Sequence, residues 1–423
     1  MAGAAAVAGV FDEAASRRNV QRFYIYRFLS NFQFFIPIFI LYMIEVRGLT
    51  LAQIALLETI FSVTALTAEM PTGAVADRFG RRISIALSAS VVSVAILAYG
   101  LAPSFGFLAM AYFIWAIART FESGADYAFL YDSLASVGKE DEFPRTIGRA
   151  QAVLLSAAVF ASVIGAPLAA LTSLQTAVML GSIFTLLSAL VALTFREPPR
   201  RRGEEHLPYV QTMVQAARLV ATNPRLRSTA ALFAIFLGLG FTVYAFMQAL
   251  LRQEGVAVEF FPFFTVPPQL IAIVGSLVVY RVVARLNERN FFYLAGFGIT
   301  ISLILIGVIP SLFAFALFPV FRFCTSMFNP ISQHYINQQT PQRIRATVLS
   351  VTSMAEGLML AIIGPAIGLM ADSTSIRTAY VVVGAAVGLS GTVALWAWTK
   401  ADRGPDTRPR LAPAVVAEPP RTS

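Results

Sequence analysis

Twelve apolar runs, each twenty residues or longer, recur along this chain. They lie near 22–46, 50–75, 83–102, 105–134, 148–170, 174–195, 228–250, 259–284, 290–309, 312–337, 346–370 and 376–399. A helix of about 20 apolar residues crosses the hydrocarbon of a bilayer. Within lipid every backbone N–H and C=O has to be satisfied inside the protein, which makes helices the form such runs take. The expected fold is therefore all-α and membrane-embedded. Composition agrees: 57% of the 423 residues are hydrophobic and 13% charged, against about a quarter charged in soluble domains. Short breaks such as Pro103–Ser104 make neighbouring spans antiparallel.

The bases sort the loops by side. Of 32, thirty are arginine, the others being Lys139 and Lys400. With both termini on the cytoplasmic side, 25 fall in cytoplasmic segments. Three (Arg47, Arg252, Arg377) fall in outer segments, and Arg27, Arg119, Arg281 and Arg322 lie within or near the ends of spans. One missed span would invert every later loop, so the split supports twelve spans with both ends cytoplasmic. The net charge of +9 is accordingly read as topology, with no nucleic-acid partner expected.

The longest polar break, Arg196 to Arg227, divides the spans six and six. The reading is a cytoplasmic N-terminal tail over 1–21, a six-helix bundle over 22–195, a cytoplasmic central loop over 196–227, a second bundle over 228–399 and a disordered tail over 400–423. Within the loop, "LPYVQTMVQAARLVATNP" has the pattern of a short amphipathic surface helix. The N-terminal "MAGAAAVAGVFDEAASRR" lacks a basic segment ahead of its apolar residues and does not read as a signal peptide. Two halves of six form a common transporter plan. A weak repeat supports it: "VIGAPLAAL" (Gly165, Pro167) in span five and "IIGPAIGLMAD" (Gly364, Pro365, Gly368) in span eleven occupy the same position in each half.

Several function classes are not expected. Cys324 is the one cysteine, so no intrachain disulfide can form. His206 and His334 lie far apart without metal-ligand spacing. No phosphate-cradling loop and no catalytic grouping occur, so no metal, no cofactor and no enzyme activity are expected.

The stretch "GAVADRFGRR" between spans two and three fits the pattern G-x-x-x-D-R-x-G-R-R, with Gly73, Asp77, Arg78, Gly80, Arg81 and Arg82 at the fixed positions. In this the chain resembles the major facilitator superfamily, whose twelve-span plan it also fits. "SGADYAFLYDSLA" (Ser123–Ala135) and "INQQTPQRIRATVLSV" (Ile336–Val351) resemble a large bacterial branch with mostly unassigned substrates. The resemblance implies two pseudo-symmetric six-helix bundles and a conformational gate at this loop. Asp77 would accept hydrogen bonds from the start of span eleven, near Ala346, because a helix N-terminus favours an anion. Arg81 would pair with Asp132 at the cytoplasmic end of span four.

Ionisable residues inside spans are costly and point to function. Arg119, Glu122 and Asp126 are spaced three and four apart and share one face of span four below Trp115. An Arg119–Glu122 pair would leave Asp126 without a partner. Asp126, Glu122 and Glu58 of span two are the candidate proton carriers. The superfamily's span-four motif puts a glycine four residues after the arginine, whereas here Gly124 comes five after Arg119. In the superfamily, spans one, four, seven and ten line the central cavity. The candidate substrate-binding residues are therefore Arg27 and Asn31, Arg119, Tyr244 and Gln248, and Arg322, Asn329 and Gln333.

The resulting expectation is a monomeric, secondary active transporter of a small molecule in the cytoplasmic membrane, proton-coupled and working by alternating access. Efflux of an amphiphilic compound by antiport is slightly favoured, since "SVIGAPLAA" matches part of an exporter motif. The alternatives are uptake of an organic anion or sugar-like nutrient, and a sensor or scaffold that transports nothing.

Overall fold

The computed structural model describes residues 11–199, 209–238, 240–340 and 344–401, and no strand occurs among them. In chain order its helices are α1 (Glu13–Asn31), α2 (Phe39–Leu41), α3 (Leu51–Phe79), α4 (Arg81–Leu101), α5 (Phe105–Glu122), α6 (Ala125–Ala135), α7 (Phe143–Leu171) and α8 (Leu174–Leu193). There follow α9 (Tyr209–Thr222), α10 (Pro224–Leu237), α11 (Gly240–Gln253), α12 (Phe261–Leu286), α13 (Glu288–Val308), α14 (Leu317–Gln339), α15 (Arg345–Ser373) and α16 (Ile376–Ala401). Eleven helical segments among the described residues are long and apolar enough to cross a membrane.

The remaining expected span, 22–46, is not continuous. Helix α1 stops at Asn31, the chain turns through Phe32–Ile38, and a short α2 leads into a π turn over Tyr42–Val46. Pro37 lacks an N–H, and the residue before a proline is pushed out of helical geometry. The backbone groups freed by the break find side-chain partners, as a buried break requires. Asn31 Nδ2 donates to the Arg27 carbonyl at 3.1 Å, and Gln33 Nε2 donates to that of Ser30 at 2.9 Å. Gln248 of α11 closes the far side: its Nε2 donates to the Ile36 carbonyl at 3.0 Å, and its Oε1 accepts the Ile40 N–H at 3.1 Å. Gly165 of α7 lies against the same break. A Cβ there would stand 2.2 Å from the Phe34 carbonyl oxygen.

Span four, expected over 105–134, is also broken. Gly124 adopts φ 75°, a left-handed conformation suited to glycine, and separates α5 from α6. The tail expected over 1–21 is corrected from Glu13 onward, where it is helical. Asp12 caps α1 by accepting the Ala15 N–H at 2.8 Å. Asn19 then ties the helix down, donating to the Arg196 carbonyl at 2.8 Å and accepting the Arg196 N–H at 3.0 Å. The central loop carries the short helix anticipated there, α9.

The chain divides into two compact units. Of the described residues, the first takes in those within 1–206, 241–269 and 360–379, and the second those within 207–240, 270–359 and 380–423. A core of the first joins Phe23, Tyr26, Ile85, Phe129, Leu130 and Phe195, with the rings of Phe129 and Phe195 stacked at 4.6 Å. In the second, Phe328 is surrounded by Phe233, Phe236, Phe291 and Phe292.

Candidate functional site

The break in span four brings four charged side chains together. Glu122 is the last residue of α5 and Asp126 lies in the first turn of α6. A helix C-terminus disfavours an anion and an N-terminus favours one, so the two acids meet opposite fields. Glu122 holds two arginines. Arg119 Nη1 donates to its Oε2 at 2.7 Å, and Arg27 Nη1 donates to its Oε1 at 3.3 Å. Asp126 accepts from the same Arg27 nitrogen at 3.0 Å and from the Tyr127 N–H at 2.7 Å. The expectation that Asp126 lacks a partner is thus corrected. Its partner comes from span one, 99 residues away in sequence.

Arg27, Glu122 and Asp126 are buried, whereas the Arg119 side chain is 45% exposed. Arg27 is further held between rings, its guanidinium carbon 5.9 Å from the centroids of both Phe23 and Tyr127. Two acids and two bases leave the network formally neutral. Buried charges persist on such terms, each paired and hydrogen-bonded. One Arg27 nitrogen is shared by two carboxylates, so a proton arriving on either acid changes which one it holds.

The other expected site residues are placed as follows. Glu58 of α3 lies near the Tyr112 hydroxyl of α5 and makes no ion pair among the described residues. Asn31 ends α1 as described above. The wholly buried Gln248 has both amide atoms engaged by the span-one backbone. Tyr244 accepts from Gln269 Nε2 at 3.2 Å. In the second unit, Arg322 is half-buried on α14, and Gln333 donates to Asn329 at 2.9 Å on an exposed face of that helix.

In the signature loop, Gly73 belongs to α3, and the side chains of Asp77 and Arg78 lie outside the described residues, as does the contact expected between Asp77 and the start of span eleven. Gly80 has φ 103° and separates α3 from α4. The α4 N-terminus is capped by Glu197, which follows α8. Its Oε1 accepts the Arg81 N–H at 2.8 Å and its Oε2 the Arg82 N–H at 2.9 Å. The Arg81 guanidinium pairs with Asp132.

A second capped N-terminus went unanticipated. Asp372 of α15 accepts the Leu51 and Ala52 N–H groups at the start of α3. Around it, Gly368 lies against the Leu51–Ala52 backbone, the Thr59 hydroxyl donates to the Ala361 carbonyl at 2.9 Å, and Arg252 pairs with Glu45 at 2.6 Å. The available signal for Glu197 and Asp372 was an acid just beyond an apolar run, which alone does not say which helix it caps.

Known proteins share this chain's sequence pattern and its fold. The family model described as Major Facilitator Superfamily matches residues 23–364 and 264–421. A curated relative, the uncharacterized MFS-type transporter YxaM of Bacillus subtilis (strain 168), is 22% identical over 359 residues, covering 80% of this chain and 86% of that one. A solved bacterial homolog of the human lysosomal transporter Spinster, in an inward-facing and unoccupied conformation, superposes with a TM-score of 0.75. It has 17% identity and covers 92% of this chain and 98% of its own. A D-xylose–proton symporter superposes with a TM-score of 0.71 at 13% identity, covering 90% and 97%.

Proposed function

This chain belongs to the Major Facilitator Superfamily, and on that footing we propose that it is a proton-coupled secondary transporter of a small solute, working by alternating access in the cytoplasmic membrane. In this reading the chain crosses twelve times with both termini cytoplasmic, the first crossing being the interrupted one. The observation that carries the proposal is the sharing of Arg27 between Glu122 and Asp126 across a break in span four. Broken helices at mid-membrane are where transporters of this general plan hold substrate and coupling ions. Protonation of Asp126 leaves Arg27 to Glu122 alone and alters the hold of α1 on α6.

Export of a small amphiphilic compound is the direction favoured. Arg119, the exposed member of the network, is already neutralised by Glu122, which weakens the case for uptake of an organic anion. The signature loop, with Asp77, Arg81 and Asp132, acts as a gate.

The test is flux in proteoliposomes under an imposed pH gradient, with a pH-sensitive dye trapped inside and candidate solutes added outside. Proton movement that depends on solute, and that disappears in Asp126→Asn while solute exchange persists, is the expected result. Equal loss of exchange and of coupled flux in that variant would make Asp126 structural. A sensor or scaffold would show no flux of any solute.

A further inference from the structure

Glu58 stands beside a group of aromatic rings. On α3, Glu58 and Phe61 are three residues apart and share a face. On α5 the same spacing puts Tyr112 and Trp115 together, and α3 packs against α5. The three rings meet steeply. Phe61 and Trp115 have centroids 6.1 Å apart and planes at 87°; Phe61 and Tyr112 are at 6.4 Å and 82°; Tyr112 and Trp115 are at 5.8 Å and 64°. Phe35 closes on Trp115 at 5.7 Å, and Tyr99 on Tyr112 at 6.0 Å. Tyr112, Tyr99 and Phe35 are buried, whereas Glu58, Phe61 and Trp115 remain partly exposed.

A carboxylate in a membrane span ordinarily has an arginine or lysine beside it. The acids of the neighbouring network have theirs, and that network is neutral. Glu58 has the Tyr112 hydroxyl nearby instead, and no ion pair among the described residues. Ring faces carry partial negative charge and attract a cation within about 6 Å of the centroid. A carboxylate beside such a group of rings offers a cation both attractions and an anion neither. An apolar coat on the cation packs against the rings themselves.

We propose that Glu58, Phe61, Tyr112 and Trp115 form a binding site for a lipophilic organic monocation, such as a quaternary ammonium or phosphonium compound. The proposal builds on the transport reading above and names the chemical class its solute belongs to. Glu58 supplies the charge, and the three rings supply the walls.

The probe is tritiated tetraphenylphosphonium, and the sample is the purified full-length chain in detergent with no gradient imposed. Saturable binding is expected, unaffected by the neutral triphenylphosphine oxide or by a naphthalenesulfonate. Glu58→Gln should weaken it at least about tenfold, and Phe61→Leu severalfold, since desolvated cation–ring contacts reach that size. Glu58→Asp, which keeps the charge, should retain part of the affinity, and it serves if Glu58→Gln does not yield folded protein. Unchanged affinity in Glu58→Gln, or displacement by the sulfonate, overturns the site. Binding without flux of any solute under a pH gradient would sink the transport reading and leave the site standing. Gradient-driven flux of another solute, with no phosphonium binding, would sink the site alone.

Discussion

The carboxylate of Asp372 lies across the N-terminus of α3, accepting the Leu51 N–H at 3.0 Å and the Ala52 N–H at 2.9 Å. The first N–H groups of a helix have no partner in the helix itself, and their partial positive charge favours an acid. A residue at the end of span eleven therefore completes the start of span two, 321 residues away in sequence. Such a bond holds two helix ends together only while they stay adjacent, which makes it a latch.

Removing that latch should loosen this end of the molecule. Loss of a capping acid costs about 1–2 kcal/mol. Ala361, buried beside the latch, becomes the reporter when changed to cysteine in a chain whose Cys324 is serine. Asp372→Ala is expected to raise the rate of maleimide labelling at Ala361→Cys roughly 5- to 30-fold, the population change that free energy gives. An unaltered rate would show that Asp372 caps α3 without latching anything.

Asp77→Asn acts at the other end of span two and should have a different signature. The expected outcome is slower turnover in the flux assay with little change in substrate affinity. Wild-type turnover in that variant would remove the gate role proposed for the signature loop.

The Arg27 network should behave as one unit. Arg27→Gln leaves Asp126 without a base and Glu122 on Arg119 alone, and is expected to cost about 3–5 kcal/mol. Asp126→Asn added to it should cost much less than it does alone, because the charge left unpaired has gone. A double-mutant cycle by thermal or denaturant unfolding reads the coupling, expected above about 1 kcal/mol. Additive losses would mean that Arg27 and Asp126 are neighbours without being energetically linked.

Two glycines of α7 make a matched pair. A Cβ on Gly148 meets nothing within 4 Å, whereas one on Gly165 would stand 2.2 Å from the Phe34 carbonyl oxygen. Gly148→Ala should stabilise α7 by about 0.5–1 kcal/mol. Gly165→Ala forces a backbone shift and should destabilise by about 1–3 kcal/mol. Melting temperatures of the two purified variants check both signs.

The apolar periodicity made the spans legible, and the loop pattern at Gly73–Arg82 made the family legible. The breaks were not. An apolar run reads the same whether its helix continues or stops, and Gly124 registered as a displaced motif glycine when it is the residue that ends α5. Same-face spacing found the Arg119–Glu122 pair, because both residues lie on one helix. It had no means of finding Arg27 as the partner of Asp126, or Gln248 as the partner of Ile36 and Ile40, since those meetings depend on how separate helices pack. Glu58 stood out as an acid inside a span, and the rings beside it required the register of α3 on α5.

The Gln248 clamp also has a consequence for how the chain is made. Ile36 is synthesised 212 residues before the amide that donates to its carbonyl. On the twelve-span topology proposed above, span one is over that interval in the membrane with part of its backbone awaiting a partner, and lipid supplies none. The nascent first span must therefore begin as a more regular helix or be sheltered by the translocation machinery, and it takes its broken form only once α11 has been inserted. The first crossing to be made is among the last to be finished.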